Sequence, residues 1–330
     1  EKERASLRVF CVYDRVPAAK ATAVWDDPDA TVVRSRWVKV LKADGRTKCR
    51  LVAQRINDGS KMDVYAATAS NVSARTLLAL ATARRRHGQK VTLMIGDVST
   101  AFLHAPLPPE RKFYLIPPAT EHLGGELWHL RKALYGLRES PRWFQEHLAR
   151  VAEAHGWVRL LTDPQLFLHR RTGSVMSVFA DDLLILVDDM KIDEVRHTLD
   201  EDLKLKWTDT IGLEWTRYLG KEWRSRGDGT FEVRVPPKYW RGLLEETGLT
   251  NARSAITPID MSSNKSDDQT PCLDPEQHAS YRRYVGKILY AGQVRPDLMY
   301  AIKELARRVA SPTENDMRAM RHLVKYIKGT

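Results

Sequence analysis

The run from Val175 to Val187 is apolar except for Ser177 and the adjacent pair Asp181-Asp182 near its centre. Met176-Ser177-Val178-Phe179-Ala180 leads into the pair and Leu183-Leu184-Ile185-Leu186-Val187 leads out of it. Both flanks belong in a core, where an unpaired charge costs several kcal/mol. The pair is therefore predicted at the tip of a hairpin, at the mouth of a sheet and partly solvated. A divalent cation would offset the repulsion that remains between the two carboxylates. The plainer alternative is an acidic hairpin turn without a role.

A second carboxylate, Asp97, ends the apolar run Val91-Thr92-Leu93-Met94-Ile95. A lone Asp at a strand end is usually a turn residue. Together with another acidic turn it supplies what two-metal phosphoryl transfer requires. Two Mg²⁺ ions about 3.5–4 Å apart need oxygen ligands from separate elements, one ion activating the attacking hydroxyl and the other stabilising the leaving group.

Around these acids the chain reads as a mixture of helices and strands, with no internal repeat. Arg36 to Leu41 and Lys48 to Ala53, joined across Asp44-Gly45, predict a hairpin. An Ala/Leu-rich helix follows over 74–83, capped by Asn71 or Ser73, with Arg84-Arg85-Arg86 complementing its C-terminal dipole and Gly88 beyond it. Val91 to Val98 reads as a buried strand and Leu127 to Leu130 as a short one. A helix runs from Pro141 to about Ala154 before Gly156. Residues 191 to 206 read as helical, because Val195, Leu199 and Leu203 recur at helical spacing. An Asp-Gly hairpin spans Arg224 to Val235, residues 260 to 277 form the candidate linker, and 278 to 328 is helical with breaks at Arg295-Pro296-Asp297 and Ser311-Pro312-Thr313.

Composition narrows the class of partner. The 330 residues carry 53 Lys+Arg against 42 Asp+Glu, a formal charge of +11. That excess suits a polyanion, since cationic contacts to phosphates release condensed counterions. Cys11, Cys49 and Cys272 are too few and too scattered for a disulfide framework or a paired-cysteine metal knuckle, which points to a reducing intracellular compartment. No apolar run approaches the roughly 20 residues of a membrane span, and Glu1-Lys2-Glu3-Arg4 does not resemble a signal peptide, so no membrane partner is expected. The start without Met and the stop at Lys328-Gly329-Thr330 read as a segment of something longer.

Five blocks in order then match a family. Asp97-Val98-Ser99-Thr100-Ala101-Phe102-Leu103 resembles the first palm motif of copia-type retrotransposon reverse transcriptases. Leu134-Tyr135-Gly136-Leu137-Arg138-Glu139-Ser140-Pro141-Arg142 is similar to their second, and Phe179-Ala180-Asp181-Asp182 to the aromatic-x-Asp-Asp box. Lys48 with Arg50-Leu51-Val52-Ala53 resembles the fingers motif. Tyr284 to Tyr290, Arg295-Pro296-Asp297 and Tyr326 to Thr330 resemble the family's tail.

The resemblance implies an α+β right-hand polymerase, its palm an antiparallel sheet backed by helices and its thumb helical and C-terminal. Fingers would take residues 1–80, with the hairpin at 36–54, and again 105–140. Palm would take 81–104 and 141–223, and thumb 224–330, ending before any ribonuclease H domain. The implied activity is addition of deoxynucleotides to a primer 3′ end on an RNA or DNA template. Asp97 and Asp181 become the principal ligands of two Mg²⁺ ions, with Mn²⁺ as a substitute, Asp182 the third carboxylate, and the Val98 carbonyl faces a metal. Phe102 falls at the sugar gate, where its ring would collide with a ribose 2′-OH, the alternative being a core phenylalanine. Lys42, Lys48 and Arg50 are the candidates for the triphosphate, and alternation puts Lys48 and Arg50 on one face. Gly136 would let the chain pass close to the nascent base pair, with Tyr135 and Arg138 flanking nucleotide or template. Phe179 and the hairpin Tyr218-Leu219-Gly220 would support the primer. Arg282, Gly286 and Tyr290, spaced by four, share a helix face that would approach a minor groove, the alternative for Gly286 being helix packing.

Some positions depart from the family pattern. Phe179 replaces Tyr, Cys49 stands for Ala, Tyr65-Ala66-Ala67-Thr68 lacks the expected Pro-Val, and Glu139 brings a negative charge near a phosphate site. They raise a rival expectation, a catalytically weak or inactive nucleic-acid-binding derivative. A metal-dependent nuclease would share the acids but leave Phe102 and the thumb helix without a purpose. Ribonuclease H, protease and integrase segments are not read in this chain.

Overall fold

The structure is a computed structural model that describes residues 1–41, 45–55, 64–121, 124–208, 210–260 and 270–330. Contacts group the chain into two units, Glu1–Thr210 and Ile211–Thr330. No helix among the described residues is long and apolar enough to cross a membrane.

The first unit begins with α1 (Lys2–Val9), β1 (Tyr13–Val16), α2 (Ala18–Trp25), β2 (Ala30–Leu41) and β3 (Thr47–Ala53). It continues through α3 (Asn71–Arg86), β4 (Val91–Val98), β5 (Lys112–Ile116), β6 (Leu127–Leu130) and α4 (Ser140–Ala154). Then come β7 (Trp157–Arg159), β8 (Leu166–His169), β9 (Val175–Phe179), β10 (Asp182–Asp188), α5 (Ile192–Asp200) and β11 (Leu205–Trp207). One sheet orders its strands β1-β6-β5-β2-β3 and contains the expected hairpin, paired from Ser35↔Ala53 to Leu41↔Thr47. The other is antiparallel with order β11-β4-β10-β9-β8-β7.

The second sheet explains why the acidic run has no polar alternation. Leu183 to Val187 are each 0% exposed. Leu183, Ile185 and Val187 join a core with Phe144, Leu148, Val195 and Leu199 of α4 and α5. Leu184 and Leu186 alternate to the other face, where α3 packs through buried Leu77 and Ala81. A strand covered on both sides stays apolar along its length.

Two readings shift. The cap of α3 is Ser70, whose hydroxyl accepts from the Ser73 N–H at 3.1 Å, not Asn71 or Ser73. The segment 191–206 is helical only to Asp200, and Leu205–Trp207 adds a strand beside β4. There the free edge of β4 supplies backbone partners that outweigh the helical spacing of Leu203. The arginines at the end of α3 brace the fold: Arg84 donates to the Gly173 carbonyl and Arg85 twice to that of Val91.

The second unit holds β12 (Thr216–Tyr218), β13 (Lys221–Ser225), β14 (Phe231–Arg234), α6 (Pro237–Glu246), α7 (Pro275–Gly292), α8 (Met299–Arg307) and α9 (Glu314–Gly329). The expected Asp-Gly hairpin joins β13 to β14. Helix α7 starts inside the stretch read as linker, because the Asp274 carboxylate caps it by accepting from the Gln277 N–H at 2.8 Å. Residues 261–269 lie outside the described residues. The breaks fall where expected, one as a short 3₁₀ turn at Pro296–Leu298 and one at Thr313, which forms a reciprocal cap with Asp316. Tyr281, Val285, Ile288, Ile302, Met320 and Leu323 close the core of this unit.

Candidate active site

Strands β9 and β10 are closed by the pair Phe179↔Asp182, which leaves Ala180-Asp181 as a two-residue tip. Ala180 has φ +55°, the left-handed conformation that such a primed turn needs at its first central position. An alanine there costs about 1 kcal/mol. Thr100, just past β4, has φ +55° as well. Two strained residues thus flank one sheet edge, a clustering typical of functional sites.

Register brings the acids together. Asp182 of β10 stands opposite Asp97 of β4, so their side chains leave the same face. The Val98 N–H donates to the Asp181 carbonyl at 2.9 Å and ties the end of β4 to the hairpin tip. Burial and then the charge of Asp181 push the Asp97 carboxyl up, opposed by Lys48, Lys206 and Arg50. Burial and then Asp181 and Asp97 push Asp182 up to about 6. No cation among the described residues forms a salt bridge with these three acids.

Among the described residues no three His, Cys, Asp or Glu side chains converge as a finished metal cluster. The donor chemistry nevertheless suits a hard divalent cation. Carboxylate oxygens come from two strands and a turn, and the charge of Asp181 destabilises the ionised forms of both Asp97 and Asp182. Mg²⁺ commonly takes one or two protein carboxylates and completes its shell with water and substrate phosphates, so a closed cage is not required.

A basic and aromatic wall adjoins the acids. The Arg50 guanidinium lies 4.5 Å from the centroid of the Tyr135 ring, and Tyr135 is tilted against Phe102 at 5.0 Å. Phe102 sits half-buried in a 3₁₀ turn at Ala101–His104, with Phe144 at 6.3 Å. Lys48 and Arg50 both act on Asp97, as their shared face of β3 requires. Lys42 lies outside the described residues. Arg138 is half-buried, and Phe179 is 36% exposed opposite Asp182.

Two residues acquire partners that the sequence did not name. Gly136 has φ +90°, and a Cβ there would run into the Ala53 carbonyl, while the Ala53 N–H donates to Tyr135 at 2.8 Å. The protein's own backbone therefore requires this glycine. Glu139 is buried and accepts from Arg55 through both oxygens at 2.7 and 2.8 Å. Its charge is neutralised within the fold, contrary to the expectation that it would disturb a phosphate site.

In the second unit, Leu219 (φ +47°) and Gly220 (φ +73°) form the tip between β12 and β13. Tyr218 is buried edge-on against Trp223. The Tyr290 hydroxyl donates to the Leu219 carbonyl at 3.2 Å and leaves no room for a Cβ at Gly220. Tyr290 thus steadies the hairpin. Arg282 and Gly286 are exposed, and among the described residues a Cβ on Gly286 would meet nothing within 4 Å, so packing by those residues does not explain that glycine.

The sequence missed Lys206, which register places opposite Asp97 on the other side from Asp182. It lay hidden in a stretch read as helix. It also missed Arg55, whose partner is 84 residues away.

Residues 21–261 match the family described as reverse transcriptase (RNA-dependent DNA polymerase). The chain is 30% identical over 328 residues to a retrovirus-related Pol polyprotein from transposon RE2 of Arabidopsis thaliana, covering 92% of this chain and 21% of that protein. It is 31% identical over 314 residues to that from transposon RE1 of the same plant, covering 91% and 20%. The transposon TNT 1-94 polyprotein of Nicotiana tabacum is 25% identical over 318 residues, covering 90% and 23%. This chain therefore spans about a fifth of the length of those relatives. In solved structures, a foamy viral protease–reverse transcriptase in complex with double-stranded DNA superposes with TM-score 0.55 at 13% identity, covering 98% of this chain and 46% of that one. That likeness supports the α+β polymerase fold.

Proposed function

Because this chain belongs to the reverse transcriptase (RNA-dependent DNA polymerase) family, with copia-type transposon Pol polyproteins as its relatives, we propose that it extends a primer 3′ end with deoxynucleotides at the edge formed by Asp97, Asp181 and Asp182. The observation that carries this reading is the register Asp97↔Asp182 beside the hairpin tip, where burial and the neighbouring acid charge push the Asp97 and Asp182 carboxyls up.

Bound divalent cations would supply activation of the primer hydroxyl and stabilisation of the leaving pyrophosphate. The three carboxylates, with the Val98 carbonyl, would hold them. Lys48 and Arg50 face the acids and would bind the triphosphate, Arg50 held in place by the Tyr135 ring. Phe102, braced by Tyr135 and Phe144, would close the space beside the sugar and exclude a 2′-OH.

In this reading fingers comprise 1–80 and 105–140, palm 81–104 and 141–223, and thumb 224–330, with Lys42, Gly136 and Arg138 in the nucleotide wall. Phe179 and the hairpin Tyr218-Leu219-Gly220 support the primer, while Arg282, Gly286 and Tyr290 belong to the helix that meets the duplex. The expected partners are a primer annealed to RNA or DNA and deoxynucleoside triphosphates. The net charge of +11 agrees with this, as does the double-stranded DNA held by the foamy viral neighbour. Three free cysteines agree with an intracellular setting.

The test is primer extension on an RNA template by the purified chain, titrated with Mg²⁺ and then Mn²⁺. Extension by deoxynucleotides that requires the metal supports the reading. No extension at any concentration of either ion replaces it with the nucleic-acid-binding derivative. Ribonucleotide use by Phe102→Ala is expected, and unchanged sugar selectivity removes Phe102 from the gate.

A further inference from the structure

We infer that the charge of Lys206, opposite Asp97 in the sheet, limits how tightly the acidic edge takes a divalent cation. The inference rests on the reading of that edge as a metal site.

The backbone places Lys206 without ambiguity. In the register of β11 with β4, Lys206 pairs with Asp97, while Leu205 pairs with Val98 and Trp207 with Gly96. Across β4, Asp97 pairs with Asp182, and across β10, Asp182 pairs with Phe179. Lys206, Asp97, Asp182 and Phe179 therefore make one row across four strands, all on the same face. Leu205 and Trp207 pack against the core, so the alternation of a strand turns Lys206 outward, and it is exposed.

Strand β11 is anchored at both ends and over its middle. The Ser99 N–H donates to the Lys204 carbonyl at 2.9 Å, and the Thr208 N–H to the Ile95 carbonyl at 3.0 Å. Trp207 lies over Gly96, where a Cβ would come within 3.1 Å of its ring. Its indole N–H is held by both oxygens of Asp200, at 3.0 and 2.9 Å. A shift of the strand would break all of these at once.

The consequence is electrostatic. Lys206 flanks Asp97 from β11, and Asp182 flanks it from β10 on the other side. A cation opposite Asp97 on the same face of the sheet favours its ionised form. It also repels any cation that Asp97 binds, and that repulsion grows with the cation's charge. An edge with three acids and no such neighbour would hold a divalent ion more tightly. Lys206 therefore keeps binding weak enough for the ion to be exchanged with each incoming substrate.

The test is direct Mn²⁺ binding to the full chain, read by electron paramagnetic resonance without substrate. Lys206→Met is expected to tighten binding about threefold, a size suited to an exposed charge. Lys206→Arg keeps the charge and should match the wild type. Lys204→Met removes the same charge from a residue outside the row and should also match. The gap between Lys206→Met and wild type should narrow at high ionic strength. Asp97→Asn must abolish the site. If Mn²⁺ binding depends on Asp97 yet Lys206→Met leaves it unchanged or weaker, the role of Lys206 is overturned and the metal site stands. If Lys206→Arg tightens binding as much as Lys206→Met, charge is not the cause and the inference likewise falls. If the wild type has no Asp97-dependent Mn²⁺ site, the metal reading fails first and this inference with it.

Discussion

Glu139 and Asp182 are both carboxylates drawn into the first unit, and their surroundings are opposite. Glu139 is 3% exposed and has Arg55 on both oxygens. Asp182 has two further carboxylates as its nearest charges, Asp181 beside it and Asp97 across the strand pair. The first acid completes a structure, since breaking a buried pair leaves an isolated charge. The second works against the structure, the signature of an acid arranged for a bound cation or substrate. Buried charge alone therefore does not mark the site; buried charge left without compensation does.

The largest effect that could break this contrast is catalytic. Asp97→Asn should lower the rate of primer extension about a thousandfold or more, by analogy with the loss of one preorganised charge-stabilising group, without lowering thermal stability. A variant that still extends primers at a comparable rate would remove Asp97 from the chemistry. Next in size is Glu139→Ala, which should cost about 3 kcal/mol in urea unfolding because the buried Arg55 guanidinium loses its carboxylate. The double variant Arg55→Met/Glu139→Leu should recover most of that. A single variant as stable as the wild type would make the pair ornamental and void the comparison.

Asp182→Asn should move stability the other way. The folded value of about 6 lies above the ordinary 3.8, so between those pH values the folded chain binds more protons than the unfolded one. The contribution of Asp182 to the stability of the metal-free protein therefore rises as pH falls through about 6 and gains nothing more below about 3.8. At pH 8 the variant should be more stable by about 1 kcal/mol, a figure reduced for partial exposure. The gain should vanish near pH 4. A wild type whose stability falls steadily from pH 7 to pH 4, with no benefit from the substitution, would show that the acids are compensated after all.

These contrasts were unevenly legible in the sequence. Asp181-Asp182 stood out because its flanks are so apolar that only a hairpin tip could carry the charge. Asp97 reads as a plausible strand end that becomes a candidate ligand only through its neighbours' motif, and its register with Asp182 needs the sheet. The partners of Glu139 and Gly136, Arg55 and Ala53, lie more than 80 positions away, and no local pattern encodes such a contact. Lys206 was masked by a real periodicity: Val195, Leu199 and Leu203 are all buried at helical spacing, yet the helix ends at Asp200. Spacing reports which side faces the core and not whether a strand edge nearby will capture the chain.

The smallest effect extends the contrast to an uncharged residue and sharpens it. Gly136 and Gly286 both look like glycines kept for a nucleic acid. A Cβ on Gly136 meets the Ala53 carbonyl, and φ is +90°, so Gly136→Ala should destabilise whatever it does to binding. Among the described residues a Cβ on Gly286 meets nothing within 4 Å, and the residue lies inside helix α7. Gly286→Ala should therefore stabilise the free protein by about 0.5–1 kcal/mol, the ordinary gain of alanine over glycine in a helix. If the exposed face with Arg282 approaches a duplex, the same methyl should weaken binding of a primer–template in a filter or fluorescence titration. Greater stability with weaker binding would assign the glycine to a ligand, as is proposed for the acids. Greater stability with unchanged binding would leave α7 without a nucleic-acid face at that position, whatever the acidic edge does.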